Sequence, residues 1–320
     1  MEEDWMVANE QKLAPVILMT YARPEHTRKT LDALAENMLA KESELYIFCD
    51  GPKSEKAVSN NKLVKEIVLA EKTKNRFKEV YVCISEENRG LAKSIISSAT
   101  EIIDKYGKCI LLEDDLITAP YFLTYMNECL EYYRSDERIW AIAGFSFPLR
   151  TLKTYPHDVY LSYRASSHGW ATWKDRWETI DWEVKDFKEL EKSFSKRRKF
   201  NRGGNDLYRM LRHQMRGERD SWAIRFCYEQ SKQNRFTIYP KVSLVRNIGF
   251  DGSGTHCSND EKLKKMNFEG NKVEKIVLEN VYPNKRILRE FKEQYRIGFA
   301  EAIEWGINKI RKKLLKVLER

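Results

Sequence analysis

Through its first third the chain alternates short apolar runs with amphipathic stretches long enough to be helices. The apolar runs are Pro15 to Thr20 (PVILMT), Leu45 to Cys49 (LYIFC), Val80 to Ile84 (VYVCI) and Cys109 to Leu112 (CILL). Short, continuous and rich in branched or aromatic side chains, they predict strands buried on both faces. Between them Pro24 to Asn37, about Asn60 to Lys72, and Gly90 to Tyr106 predict crossover helices. The alternation predicts βαβ units, hence an α/β fold with a mostly parallel central sheet flanked by helices. Farther along, Trp140 to Phe147 (WAIAGFSF) and Phe236 to Val245 (FTIYPKVSLV) read as further strands, and Ser166 to Trp177 packs aromatics around Gly169, with Trp170, Trp173 and Trp177 at helical spacing. Lys192 to Arg219 is dense in Arg and Lys around Gly203-Gly204, which predicts an exposed, mobile loop.

Open sheets of this kind bind ligands outside the carboxyl ends of their strands. The residues that follow the predicted strands are Tyr21-Ala22-Arg23-Pro24, Asp50-Gly51-Pro52, Glu86-Glu87-Asn88-Arg89-Gly90 and Glu113-Asp114-Asp115. Three consecutive carboxylates at the end of an apolar strand suit a hard divalent cation such as Mn2+ or Mg2+, which takes one or two carboxylates and fills its shell with water and substrate phosphates. A solvated strand end is the plain alternative. Alternation along a strand puts Glu113 and Asp115 on one face and points Asp114 elsewhere. Arg23 can pair with a phosphate and Asp50 can accept from a base or ribose, although singly they are a surface charge and a turn. Arg89, at a basic helix start, belongs to the same edge.

Composition narrows the partners. With 42% hydrophobic and 12% aromatic residues in 320, the chain can bury a large core. Its 57 Lys and Arg against 48 Asp and Glu give +9, which favours an anionic partner. No recognised motif accompanies that charge, so nucleic acid is not expected. Cys49, Cys83, Cys109, Cys129, Cys227 and Cys257 form no CxxC pair, which predicts a reducing compartment and no zinc. The start, MEEDWMVANEQK, lacks an apolar signal core, and no run approaches the ~18 apolar residues of a membrane span. A cytoplasmic protein is expected, with its last residues offering a peripheral contact to the inner face of a membrane. There Phe299, Ile303, Ile307, Ile310, Leu314 and Val317 make an apolar stripe beside Lys309, Arg311, Lys312, Lys313, Lys316 and Arg320, a pattern that fits an anionic membrane surface or, more simply, docking on the domain or a second subunit.

Taken in order, VILMTYARPEHTRKTLDAL, IFCDGP, CILLEDDLITAPYFLTYM, WAIAGFS, SSHGWATWKDRW and RDSWAIRFCYEQSKQNRFTIYPKVSLVRNIGFDGSGTHC resemble nucleotide-sugar glycosyltransferases of the GT-A (Rossmann-like) fold, most of all the N-acetylglucosaminyltransferase I type. The resemblance spans about residues 14 to 257, with EDDL its most specific motif. It implies that Asp115 ligates a Mn2+ bridging the donor pyrophosphate, that Glu113 and Asp114 touch the donor sugar and ribose, that Asp50 holds uracil and that Arg23 holds a phosphate. It places the catalytic base in Arg219-Asp220-Ser221-Trp222, where the family has two adjacent acids and this chain has Asp220 alone. Glu178 and Asp175, near the aromatic cluster, are rival bases.

On the acceptor side Gly169 and Trp170 can wall a sugar ring, with Trp222 nearby, or they can be core. The loop Gly249 to His256 can close over the donor, with Ser253 on a phosphate and His256 near the metal, or be a plain turn. The expected organisation is an N-terminal extension (1–13), a GT-A catalytic domain (14–260, donor half about 14–118, acceptor half about 119–260) and a C-terminal basic helical extension (261–320). The expected function is metal-dependent inverting transfer of a sugar, GlcNAc being one candidate, from a UDP-type donor to a glycan or lipid-linked acceptor in surface polysaccharide synthesis. A non-catalytic carbohydrate- or nucleotide-binding protein of the same fold is the principal alternative, and a nucleotidyltransferase a more distant one.

Overall fold

The four apolar runs become neighbours in one sheet of a computed structural model that describes residues 12–251 and 268–295. The strands are β1 (Val16–Thr20), β2 (Glu44–Cys49), β3 (Glu79–Ile84), β4 (Lys108–Glu113), β5 (Leu116–Thr118), β6 (Ile139–Ala143), β7 (Val159–Ser162), β8 (Trp170–Trp173), β9 (Phe236–Pro240) and β10 (Val245–Asn247). Eight of them form a sheet in the order β3-β2-β1-β4-β8-β6-β9-β7, and β10 pairs with β5 in a small second sheet. Strands β1 to β4, β6 and β9 run one way, while β8 and β7 run against them. The fold is thus mixed α/β with a mostly parallel central sheet.

Helices cover both faces: α1 (Pro24–Ala35), α2 (Glu55–Glu71), α3 (Leu91–Tyr106), α4 (Phe122–Tyr132), α5 (Lys174–Trp177), α6 (Phe187–Lys192), α7 (Phe194–Phe200), α8 (Leu207–Gln214), α9 (Trp222–Lys232) and α10 (Lys285–Glu293). Alternation along β1 shows why both layers are needed. Val16 and Leu18 pack with Leu31, Leu34, Val64, Val68 and Phe122, whereas Ile17 and Met19 face Ile95, Ile102 and Phe226. Helix α1 starts with Pro24, whose missing N–H would be unpaired there anyway. Helix α3 stops at Gly107, whose φ of 75° lets its N–H bond back to Ile103 O at 2.8 Å before β4 begins.

The second half departs from the sequence pattern in four places. Trp170 to Trp173 is a strand, not part of a helix. It pairs antiparallel between β4 and β6, so Trp170 enters one core layer and Trp173 the other. The apolar run 236–245 is broken after Pro240, and its end swings out to pair with β5. β7 has no counterpart among the predicted strands. The basic segment expected as an exposed loop folds into α7 and α8, with Gly203 and Gly204 buried because the Arg164 side chain lies directly against them. Helix α10 lays Ile287 and Phe291 on Phe147, Tyr160 and Tyr239. Ser253, His256, Cys257 and the apolar-basic stripe of 299–320 lie outside the described residues. Within them, no helix is long and apolar enough to cross a membrane, and Cys49, Cys83, Cys109, Cys129 and Cys227 are free thiols.

Trp170 is fully buried, its ring stacked on Trp222 (centroids 4.8 Å apart) and Trp177 (5.9 Å). The expected sugar-facing wall at Gly169 and Trp170 is therefore corrected: a Cβ on Gly169 would sit 3.1 Å from Val245, and the indole has no free face. Trp170→Ala should cost about 3–5 kcal/mol, as large-to-small core changes do, and lower the thermal midpoint by about 10 °C. Differential scanning calorimetry checks this; an unchanged midpoint would contradict the core assignment.

Candidate functional site

The ends of the parallel strands converge on one edge, where β4 delivers Glu113, Asp114 and Asp115. Their side chains separate as strand alternation requires. Glu113 and Asp115 line a cavity of about 360 Å³, whereas Asp114 turns toward α1. There its Oδ2 accepts from Thr27 Oγ1 at 3.4 Å, its backbone carbonyl accepts from Thr30 Oγ1 at 2.9 Å, and the Arg23 guanidinium donates to Oδ1. Arg23 Nη1 also reaches Asp115 Oδ2 at 2.9 Å. Arg23 is consequently an internal counter-ion of the acidic cluster and not a free phosphate ligand, as its position after β1 had suggested. Burial works against its charge, but Asp114 and Asp115 outweigh that and hold its pKa above the usual value.

One guanidinium does not balance three carboxylates. Burial, with Asp115 and Asp114 alongside, pushes the Glu113 carboxyl up to about 8 against the pull of Arg23. Burial likewise raises Asp114, with Arg23 opposing. Asp115 accepts from Arg23 through Oδ2 and lines the cavity. Among those residues no group of three His, Cys, Asp or Glu side chains forms a ready-made metal cage. The surplus negative charge and the carboxylate oxygens of Glu113 and Asp115 are of the kind a hard cation takes.

Asp50 differs from its expected role. Its Oδ1 accepts from Gly51 N (3.1 Å) and Arg89 N (2.9 Å), and its Oδ2 from Gly90 N (3.1 Å) and Asn88 Nδ2 (3.2 Å). Four donors exhaust a carboxylate's lone pairs, so Asp50 clamps the β3–α3 turn to the end of β2 and has nothing left for a base. Arg89 is held there by its backbone, with its side chain exposed at the cavity edge of the sheet.

The segment leading into α9 forms another wall of the same cavity, lined by Arg219, Asp220, Ser221 and Trp222. Ser221 caps α9, its Oγ accepting from Ile224 N, and this fixes Asp220 at the rim. The Asp220 side chain is 61% exposed and, among the described residues, is paired only at 3.4 Å with Arg225. The rival bases are elsewhere: Asp175 pairs with Arg176 and Glu178 with Lys174, whose backbone N–H bonds to Gly107 O at the start of β4. A six-residue strand, about 16 Å at ~3.3 Å per residue, separates them from Glu113.

Several lining residues were not singled out in the sequence: Phe145, Phe147, Arg164, His168, Cys227 and Tyr295. Arg164 is buried, forked onto Asp206 at 2.7 and 3.0 Å, with its guanidinium 3.6 Å from the Tyr295 ring centre. Burial lowers the His168 pKa while Asp115 opposes the shift. The signal for His168 was its place just before β8, visible only once that strand is known to run antiparallel.

No family model matches the chain, and no curated protein does. Among solved structures the chain is similar to the mannosyltransferase PcManGT from Pyrobaculum calidifontis in complex with GDP-Man and Mn2+, at 11% identity over 72% of this chain and 75% of that one, TM-score 0.39. It is similar to the galactosyltransferase LgtC in complex with donor and acceptor sugar analogues, at 9% over 82% and 84%, TM-score 0.37. TarS of S. aureus is matched at 16% over 49% and 28%, TM-score 0.33. These likenesses are distant, and what the site can do follows from its own side chains.

Gly249 brings the β10 end close to the acids. Ile248 N donates to Asp115 O at 2.8 Å, and a Cβ on Gly249 would fall 2.2 Å from Asp115 Oδ2 and 3.0 Å from Arg23 Nη1. Gly249→Ala should push the Asp115 carboxylate off Arg23 and, on the function proposed below, weaken Mn2+-dependent UDP binding about tenfold or more, roughly 1.4 kcal/mol, with the circular dichroism spectrum unchanged. Isothermal titration calorimetry reads it; wild-type affinity would show that the carboxylate position does not matter.

Proposed function

We propose that the chain is a metal-dependent glycosyltransferase that moves a sugar from a nucleotide diphosphate donor to an acceptor hydroxyl with inversion. The observation that carries this reading is the placement of Glu113 and Asp115 on one wall of a single cavity and of Asp220, exposed and weakly paired, on another. Such a pair of walls separates the two jobs that a single displacement needs: stabilising the leaving diphosphate and taking the acceptor's proton.

In this reading Asp115, with Glu113 beside it, would hold a divalent cation, which would supply positive charge to the departing diphosphate. Arg23 keeps the Asp115 carboxylate fixed, and the exposed Arg89 at the start of α3 faces the same end of the donor. Phe145, Phe147 and Tyr295 replace Trp170 as the apolar surface available to a sugar ring. The acceptor O–H gives its proton to the Asp220 carboxylate as the oxygen attacks the anomeric carbon, and the bond from that carbon to the diphosphate oxygen breaks with its electron pair leaving on the nucleotide. By resemblance the cation is Mn2+, the donor UDP-linked and the type that of an N-acetylglucosaminyltransferase, with surface polysaccharide as the setting.

Two substitutions separate the roles. Asp115→Asn should abolish Mn2+-dependent UDP binding. Asp220→Asn should leave that binding within twofold and slow UDP release from UDP-GlcNAc about 100- to 10,000-fold, the usual contribution of a general base. Calorimetry and steady-state UDP release on the same preparations check both, with Glu178→Gln and Asp175→Asn expected to turn over normally. Normal turnover by Asp220→Asn would move the base elsewhere.

A further inference from the structure

The chain's formal charge is +9, and residues 192–219 contain ten Lys and Arg against two acids, a net of +8. The other residues together are nearly neutral. The two acids are occupied: Asp206 by Arg164, and Glu218 by His213. Of the cations, Lys196 pairs with Glu189, Arg197 and Lys199 donate to backbone carbonyls, and Arg202 donates to Asn234. Arg198, Arg209, Arg216 and Arg219 have no acidic partner among the described residues. Seven of the ten are arginines, whose planar forks suit phosphate or carboxylate groups and not merely a diffuse negative field.

Their placement is ordered. Leu207 and Met210 of α8 line the cavity and Leu207 and Leu211 are buried, so Arg209 and Arg216, seven residues apart, follow the opposite side of the helix and the turn after it, with Arg216 exposed. The row ends at Arg219, which is exposed and lines the cavity next to Asp220. A chain whose terminal hydroxyl reached Asp220 would leave the cavity over this row.

We propose that the acceptor is an anionic glycan, a polymer bearing repeated carboxylate or phosphate groups, and that the Arg209–Arg219 row holds the part of it outside the cavity. The proposal rests on the glycosyltransferase reading above and adds the chemical class of the acceptor. It accounts for the concentration of charge beside the base wall, which donor binding at the acidic wall does not need.

The test measures binding of decagalacturonate and uncharged maltodecaose by fluorescence anisotropy at 0.15 M salt, next to phosphatidylglycerol vesicles, a decathymidylate and UDP with Mn2+. Wild type should bind decagalacturonate about tenfold or more tighter than maltodecaose. Arg209→Gln/Arg216→Gln should lose about fivefold of that affinity, with its thermal midpoint and UDP–Mn2+ affinity unchanged. Arg209→Lys/Arg216→Lys should keep most of it and guards against a folding defect. Equal binding of the two oligomers by a protein that still takes UDP–Mn2+ would overturn the inference and leave the glycosyltransferase reading standing. Tighter binding to vesicles or to the decathymidylate would give the face to another partner and overturn it too. Preference for decagalacturonate without any nucleotide diphosphate binding would overturn the glycosyltransferase reading and with it the assignment as acceptor.

Discussion

One guanidinium set between two buried carboxylates organises the edge of the sheet where β4 ends. Arg23 reaches Asp114 and Asp115 from the start of α1, and both acids are almost wholly buried. Leaving one partner of such a pair alone in the interior is strongly unfavourable, so α1 must enter where it does, immediately after β1. Thr27 and Thr30, one turn and two turns into α1, satisfy the remaining oxygens of Asp114. The backbone of Ile248 and the bare Cα of Gly249 then close over Asp115. The acidic cluster is thereby built into the fold and still short of positive charge.

That shortage is what makes the cavity chemical. Asp114 and Asp115 carry more negative charge than Arg23 can cancel and burial pushes Glu113 beside them up to about 8, so in the proposed function an incoming cation is favoured, and with it a diphosphate. The Asp220 wall depends on a different set of interactions. Ser221 caps α9 beneath Asp220, the Trp222–Trp170–Trp177 stack seats α9 on the sheet, and Arg164 ties α8 and Tyr295 together through Asp206. The two walls therefore belong to separately anchored parts of the same sheet edge.

Much of the first half was legible because local pattern and tertiary role coincide there. PVILMT, LYIFC and CILL are buried on both faces, so continuous apolar runs mark them without ambiguity, whereas VYVCI, expected to be buried likewise, is the edge strand and exposes Tyr81 and Cys83 on one face. In the second half that coincidence fails. Trp170, Trp173 and Trp177 have helical spacing but belong to an antiparallel strand and the short helix after it, and only the gap between β4 and β6 explains why. For the acids of EDD the expected alternation held, Glu113 and Asp115 lining the cavity and Asp114 turning to α1. The roles of Arg23 and Asp50 were not readable, because an Arg or Asp after a strand looks the same whether it awaits a ligand or is already consumed by its neighbours. Asp50, with four donors, is the clearer case. Phe145, Phe147 and Tyr295 were invisible because segments distant in sequence bring them together.

The central claim is that the cavity at the end of β4 takes a nucleotide diphosphate through a divalent cation. A calorimetric screen of nucleotide sugars, each titrated in Mn2+ and again in EDTA, tests it most directly. The account predicts binding of at least one donor in Mn2+ that disappears in EDTA. Binding of equal strength in both, or no binding of any nucleotide sugar in Mn2+ by folded protein, would contradict it.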